Sequence, residues 1–169
     1  GSSWAFEAKL LASDRAFDDR LGAAAAIDGD TAVVTSRADD YFGLFEVGSA
    51  YVFTQSGGTW SQQAQLTAGD GAAGDEFGCP VALSGDTLLV GAHYDDTAAA
   101  VNAGSVYVFI RDGTAWTLQA RLTASDGAAN DHFGAKVALS GDTALVGAYA
   151  DDTAAGVDAG SVYVFVRSG

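Results

Sequence analysis

The feature that most constrains this chain is an internal repeat with a period of 56 residues. Three tryptophans fall at that spacing, at Trp4, Trp60 and Trp116. Three aromatic segments follow them with the same spacing: Gly48–Phe53, Gly104–Phe109 and Gly160–Phe165. Between Trp60–Phe109 and Trp116–Phe165, 37 of 50 positions are identical. A fixed period of this length is typical of solenoids, propellers and other repeat arrays.

Within one repeat the pattern predicts four β-strands. Trp116–Ala124 alternates apolar and polar residues, which indicates a strand near the edge of a sheet. Val137–Leu139 and Ala144–Val146 are short apolar runs joined by a turn with Gly141 and Asp142, which indicates a tight hairpin. Ser161–Arg167 is almost continuously apolar and aromatic, as expected of a strand buried on both faces.

Four antiparallel strands per repeat, with apolar residues on both sheet faces, favour the blade of a β-propeller. A β-helix needs much shorter coils, and no segment has the apolar periodicity of a helix. We therefore predict an all-β chain, a single propeller unit of three four-stranded blades of 56 residues each. The repeats are expected at 1–57, 58–113 and 114–169.

Closure of the ring predicts self-association. The strand Trp4–Ala12 has no preceding strands to join, and Ser161–Arg167 is not followed by an outer strand. Three blades are below the usual four to eight, and open strand edges invite pairing with another chain. We expect a homodimer in which each first strand completes the partner's last blade, giving one six-bladed ring. The alternative is that the chain is a segment of a longer propeller.

Three motifs in the third repeat carry a family resemblance: Phe133-Gly134, Gly147-Ala148 and the segment Gly160–Phe165. Together they resemble the FG-GAP repeat, which builds the propeller of integrin α chains and occurs in bacterial secreted proteins. The resemblance implies a non-enzymatic binding or adhesion module, secreted or at the cell surface, of bacterial type. The calcium loop of integrin-like blades is not matched, because the turns Ser84–Thr87 and Ser140–Thr143 are too short to surround the ion.

Acidic residues concentrate in two loops of each repeat, one on either side of the hairpin, which hold 16 of the 22 acids. In an up-and-down blade these two loops emerge on the same face, so we expect one acidic loop face. Clustered carboxylates favour cations or a basic ligand, although aspartate is also a common turn residue. The candidate metal ligands, with calcium as the possible ion, are Asp126, Asp131, Asp151, Asp152, Asp70, Asp75, Asp95 and Asp96. We expect no binding, or binding with a dissociation constant above ~10 μM.

Other classes of function find little support in the residues. A net charge of −14 argues against nucleic acid, and no apolar run approaches the ~20 residues of a membrane span. His93 and His132 each occur once, and no nucleophile or metal motif accompanies them, so we expect no enzyme. The ligand class stays open between a protein, a glycan and a purely architectural role. Loop aromatics that suit a glycan are Tyr41, Phe42, Tyr94 and Tyr149.

Overall fold

The computed structural model describes residues 1–40 and 43–168, and this part of the chain is all-β, as predicted. It contains no helix long and apolar enough to cross a membrane. The loop aromatics Tyr41 and Phe42 lie outside the described residues. The strands are β1 (Ala25–Asp28), β2 (Thr31–Ser36), β3 (Ser49–Ser56), β4 (Thr59–Leu66), β5 (Val81–Ser84), β6 (Thr87–Ala92), β7 (Ser105–Asp112), β8 (Ala115–Leu122), β9 (Phe133–Ser140), β10 (Thr143–Ala148) and β11 (Ser161–Val166).

The strands form three antiparallel sheets with simple up-and-down order, consistent with successive blades of a propeller. Blade one is β1-β2-β3-β4, blade two is β5-β6-β7-β8, and blade three is β9-β10-β11. Each blade begins with the predicted hairpin, closed by a two-residue turn such as Gly141-Asp142 between the paired residues Ser140 and Thr143. Gly141 has a φ of 55°, the left-handed conformation that such turns need and that glycine tolerates.

The strand that begins each later repeat belongs to the sheet of the repeat before it. β4 pairs with β3, and β8 pairs with β7, so the tryptophan strand of one repeat is the outer strand of the preceding blade. Four strands are therefore present in blades one and two. Among the described residues blade three has three strands, and the outer edge of β11 is unpaired.

The predicted first strand, Trp4–Ala12, is not a strand in this structure. An extended segment counts as a strand only when it pairs with a neighbour, and blade one already has β4 at its outer edge. Trp4 and Phe6 are consequently exposed, whereas Ala12 is buried against Tyr51 and Phe53. The prediction of a strand was wrong because this segment pairs with no sheet edge in the described part of the chain.

The core lies between the sheets, where the two faces of adjacent blades pack together. Val33, Ala50 and Val52 of blade one contact Leu88, Val90, Tyr107 and Phe109 of blade two in one cluster. Leu89, Val106 and Val108 of blade two pack in the same way against Ala144, Val146, Tyr163 and Phe165 of blade three. The opposite face of blade three, with Leu145, Val162 and Val164, is exposed.

Candidate functional site

A tyrosine in the middle of each aromatic strand organises the acidic loops. The Tyr107 hydroxyl lies 2.8 Å from Asp70 Oδ1 and 3.1 Å from Asp95 Oδ2. Asp70 precedes the hairpin and Asp95 follows it, so the two loop sets meet on one face, as predicted. In blade three, Tyr163 contacts Asp126 at 2.8 Å and Asp151 at 3.2 Å. In blade one, Tyr51 contacts Asp39 at 2.8 Å.

In blade two an arginine neutralises this acid pair. Arg121, from the outer strand β8, lies 3.0 Å from Asp70 Oδ2 through Nη1 and 2.5 Å from Asp95 Oδ2 through Nη2. Its guanidinium carbon also lies 5.7 Å from the centre of the Tyr107 ring. Burial, followed by the charge of Asp95, raises the pKa of the Tyr107 phenol above its ordinary range. The phenol therefore stays protonated and remains a hydrogen-bond donor to the carboxylates.

Four of the other predicted ligands hold their own loops in shape. The buried Asp75 and Asp131 accept hydrogen bonds from the backbone N–H groups of Ala72 and Ala128, each at 2.6 Å. The exposed Asp96 and Asp152 each accept one from the N–H group six residues later, at 2.8 and 2.9 Å. These are turn-stabilising bonds of the kind that aspartate makes well. Burial raises the pKa of Asp75 to about 6.

The eight candidate metal ligands are thus divided among separate places. Asp126 lies with Asp151, and Asp70 lies with Asp95, because each pair shares one tyrosine. Among the described residues no group of three or more histidines, cysteines or acids is arranged to hold a metal ion. Calcium takes six to eight oxygen ligands, and a single pair of carboxylates supplies a small part of that shell. The expectation that this face binds calcium weakly or not at all stays a prediction.

A cluster of rings on the same side of the molecule was not foreseen from the sequence. His132 stacks on Tyr149 with 5.2 Å between ring centres, and it meets Tyr94 edge-on at 5.1 Å. His93 lies 5.9 Å from His132 and 4.2 Å from Tyr94. Nδ1 of His132 is 3.1 Å from the carbonyl oxygen of His93, which ties the two loops together. Burial lowers the pKa of His93, so its neutral form is favoured.

A signal for this cluster was present in the repeat arithmetic. His93 occupies the position that Arg37 has one repeat earlier, and His132 occupies the position of Glu76. Arg37 and Glu76 form an ion pair at 2.7 Å across the first blade boundary. The same two positions meet at every boundary, so two isolated histidines become neighbours across the second one. Counting histidines within single repeats therefore misses a pair that forms across the boundary between two repeats.

A family model for the FG-GAP repeat matches the chain three times, at residues 4–53, 60–109 and 116–165. The chain belongs to the FG-GAP repeat family. A search among curated proteins found none that matches it.

The second and third FG-GAP repeats of this chain each start at a tryptophan strand and therefore span parts of two blades. The second repeat supplies Asp70, Asp95 and Tyr107, whereas Arg121 comes from the third. The acidic site of a blade is consequently completed by the next repeat along. In blade three the acid pair and its tyrosine are present, and neither Asp126 nor Asp151 takes part in an ion pair within the described chain.

Proposed function

We propose that this FG-GAP chain is a non-enzymatic binding module that works outside the cell and recognises a protein or matrix ligand on its acidic loop face. The observation that carries this proposal is the convergence of two loops on one tyrosine in blades two and three. Loops held by a rigid sheet scaffold are the usual place for ligand recognition. Exposed carboxylates at Asp70, Asp96, Asp126 and Asp152 give the face a negative potential that suits a basic partner.

A charge-matched pair of variants tests this assignment. Glu46→Asn with Asp158→Asn removes two charges from the loop face, and Asn102 at the same position of repeat two indicates that asparagine fits there. Asp30→Asn with Asp112→Asn removes two charges from the hairpin-turn face. Binding of a lysine- and arginine-rich probe peptide should weaken severalfold only for the first pair, and it should fall with added salt. Equal effects of the two pairs would contradict a ligand site on the loop face.

A calcium titration addresses the remaining role of the carboxylates. The shared tyrosine already occupies oxygens of the acid pairs, and backbone N–H groups occupy those of Asp75 and Asp131. We therefore expect the melting temperature to be unchanged between calcium and chelator. A dissociation constant for calcium below ~10 μM would show that the loops form a true cation site.

A glycan is the second candidate ligand, and the stack of His132 on Tyr149 favours it. Tyr149 is 59% exposed and presents a ring supported from behind by the imidazole. Aromatic faces with adjacent hydrogen-bonding groups suit the apolar faces of sugars. A glycan array with the wild-type protein and with Tyr149→Ala separates the classes. Binding that is lost in Tyr149→Ala and kept in Glu46→Asn with Asp158→Asn would favour the glycan.

We further propose that two copies close one six-bladed ring. The unpaired edge of β11 and the exposed face with Val162 and Val164 match the edge and face that blade two presents to its neighbours. Exposed apolar faces and open strand edges of this kind favour association. Light scattering should give twice the chain mass, and deletion of residues 1–12 should return the mass to that of one chain. A stable monomer, or a heterogeneous aggregate, would contradict the closed dimer.

A further inference from the structure

The boundary between blades one and two contains a tryptophan held between two outer strands. Trp116 of β8 packs into the cluster between blades one and two, beside Ala64, Leu66, Leu83 and Phe109. Its Nε1–H donates to Gln63 Oε1 at 3.0 Å. The guanidinium carbon of Arg111 lies 5.3 Å from its ring centre. An indole that is packed, hydrogen-bonded and stacked under an arginine is a typical anchoring residue.

The equivalent place between blades two and three is a cavity of about 320 Å³. Its lining includes Gln119, Ala120, Leu122, Leu139, Phe165 and Arg167. Each of these lies 56 residues beyond a residue around Trp116, and glutamine, alanine, leucine, phenylalanine and arginine recur unchanged. The cavity thus has the walls, the hydrogen-bond acceptor and the cation of a tryptophan socket. At the first boundary the residue that fills the equivalent place is the outer-strand Trp116.

Trp4 is the tryptophan of this chain that remains exposed, among residues that already follow an outer-strand course. Glu7 accepts a hydrogen bond from Trp60 Nε1 at 3.2 Å, which repeats the bond from Trp116 to Gln63 one period earlier. Ala12 is buried beside Tyr51 and Phe53, as its counterpart Ala68 is buried beside Tyr107 and Phe109. The segment from Glu7 to Ala12 therefore lies against blade one as the equivalent part of the β4 region lies against blade two, but it is not a strand of any described sheet.

We propose that Trp4 of a second copy fills this cavity, donating from Nε1 to Gln119 Oε1 and stacking under Arg167. The proposal rests on the six-bladed dimer proposed above and names the contact that locks it. The same register puts Lys9 of the second copy where Arg121 stands in blade two. Lys9 then faces Asp126 and Asp151, the acid pair of blade three, and supplies the cation that Arg121 supplies to Asp70 and Asp95. Charge and shape therefore point to the same occupant.

The test compares two exposed aromatics of the same full-length chain. Trp4→Ala removes the proposed anchor, and Phe17→Ala removes an equally exposed ring that lies outside the segment. Both side chains are exposed, so neither change should impair folding of the monomer. By sedimentation equilibrium, Trp4→Ala should raise the dimer dissociation constant about 30-fold or more, as loss of an interface tryptophan does. Phe17→Ala should change it less than about twofold.

A second pair of variants locates the socket. Gln119→Ala and Trp4→Ala should each raise the dimer dissociation constant. When Trp4→Ala is already present, adding Gln119→Ala should raise that constant by a smaller factor than it does in the wild type. A wild-type monomer would overturn the dimer itself. A wild-type dimer that is unaffected by Trp4→Ala, or in which the two changes are additive, would leave the ring intact and overturn the socket.

Discussion

Val106 of blade two and Val162 of blade three are the same residue at the same position of successive repeats. Val106 is fully buried, whereas Val162 is 67% exposed. The difference arises because blade three covers the face of blade two, whereas nothing equivalent in residues 1–40 and 43–168 covers blade three. Burial in this protein is therefore a property of the boundary between repeats. A repeat on its own does not decide which of its apolar residues form the core.

The largest effect that separates the two blades is expected from a charge placed on that face. Val106→Asp puts an unpaired carboxylate into the packed boundary and should cost about 4–5 kcal/mol or more of unfolding free energy. Val162→Asp should leave the monomer folded, because its side chain is in water. Chemical denaturation, followed by circular dichroism at a concentration low enough to keep the protein monomeric, measures both. Similar losses for the two variants would show that blade three is covered within the chain.

Two equivalent glycines, Gly104 and Gly160, distinguish blades two and three at the level of the backbone. Gly104 and Gly160 both have positive φ, so alanine is strained at either position by about 1–2 kcal/mol. At Gly104 an added Cβ would also lie 2.1 Å from the carbonyl oxygen of Phe133, whereas at Gly160 the nearest atom is 3.0 Å away. Gly104→Ala should therefore cost about 2–4 kcal/mol and Gly160→Ala about 1 kcal/mol in the monomer. Thermal unfolding of the two variants checks the order, which a packed blade three would reverse or abolish.

The free energy of unfolding is expected to depend on pH through Asp75, in the loop before blade two. The pKa of Asp75 is raised to about 6 in the folded protein, from an ordinary value of 3.8, because the carboxylate is buried. A raised folded pKa means that ionisation opposes folding, so this residue's contribution to stability is present below about pH 4 and is lost as the pH rises through 6. The loss is on the order of 1–3 kcal/mol.

Asp75→Asn keeps an oxygen to accept the hydrogen bond from Ala72 N–H and removes the titration. The difference in unfolding free energy between the wild type and this variant should therefore change between pH 4 and pH 6.5 and be constant above. A difference that is flat across the whole range would contradict the raised pKa.

The smallest effect on the free energy of unfolding is expected from a substitution that leaves the acid pair of blade two without a cation, as in the described part of blade three. Arg121→Gln removes the cation from Asp70 and Asp95 while keeping a polar side chain, as Gln65 does one repeat earlier. The arginine is partly exposed, so the loss should be about 1 kcal/mol. Screening should shrink it in 1 M salt. An unfolding free energy unchanged at low salt would mean that the tyrosine alone satisfies the acid pair.

The repeat and the strand pattern were sufficient to predict the blades, the hairpins and the shared loop face. They failed at Trp4–Ala12, because an extended segment becomes a strand only beside a free sheet edge, and the alternation of its residues does not report whether one is there. They also did not foresee that Tyr107 and Tyr163 hold the loop carboxylates. The tyrosine is visible in every aromatic strand, but the direction of its hydroxyl depends on where the loops return in three dimensions. The neighbours His93 and His132 were missed for a related reason, since positions that differ between repeats were compared within repeats and not across the boundary.

The tryptophan strand of each later repeat belongs to the preceding blade. The 56-residue sequence repeat and the four-stranded blade therefore begin and end at different residues. In the proposed ring, a continuous stretch of peptide therefore connects neighbouring blades everywhere except where one chain ends and the next begins. A ring of six blades can then be divided among chains in more than one way, as two chains of three repeats or three chains of two. Duplication or loss of a whole 56-residue repeat would change how many chains are needed to complete one ring, and it would not require a new kind of contact between blades.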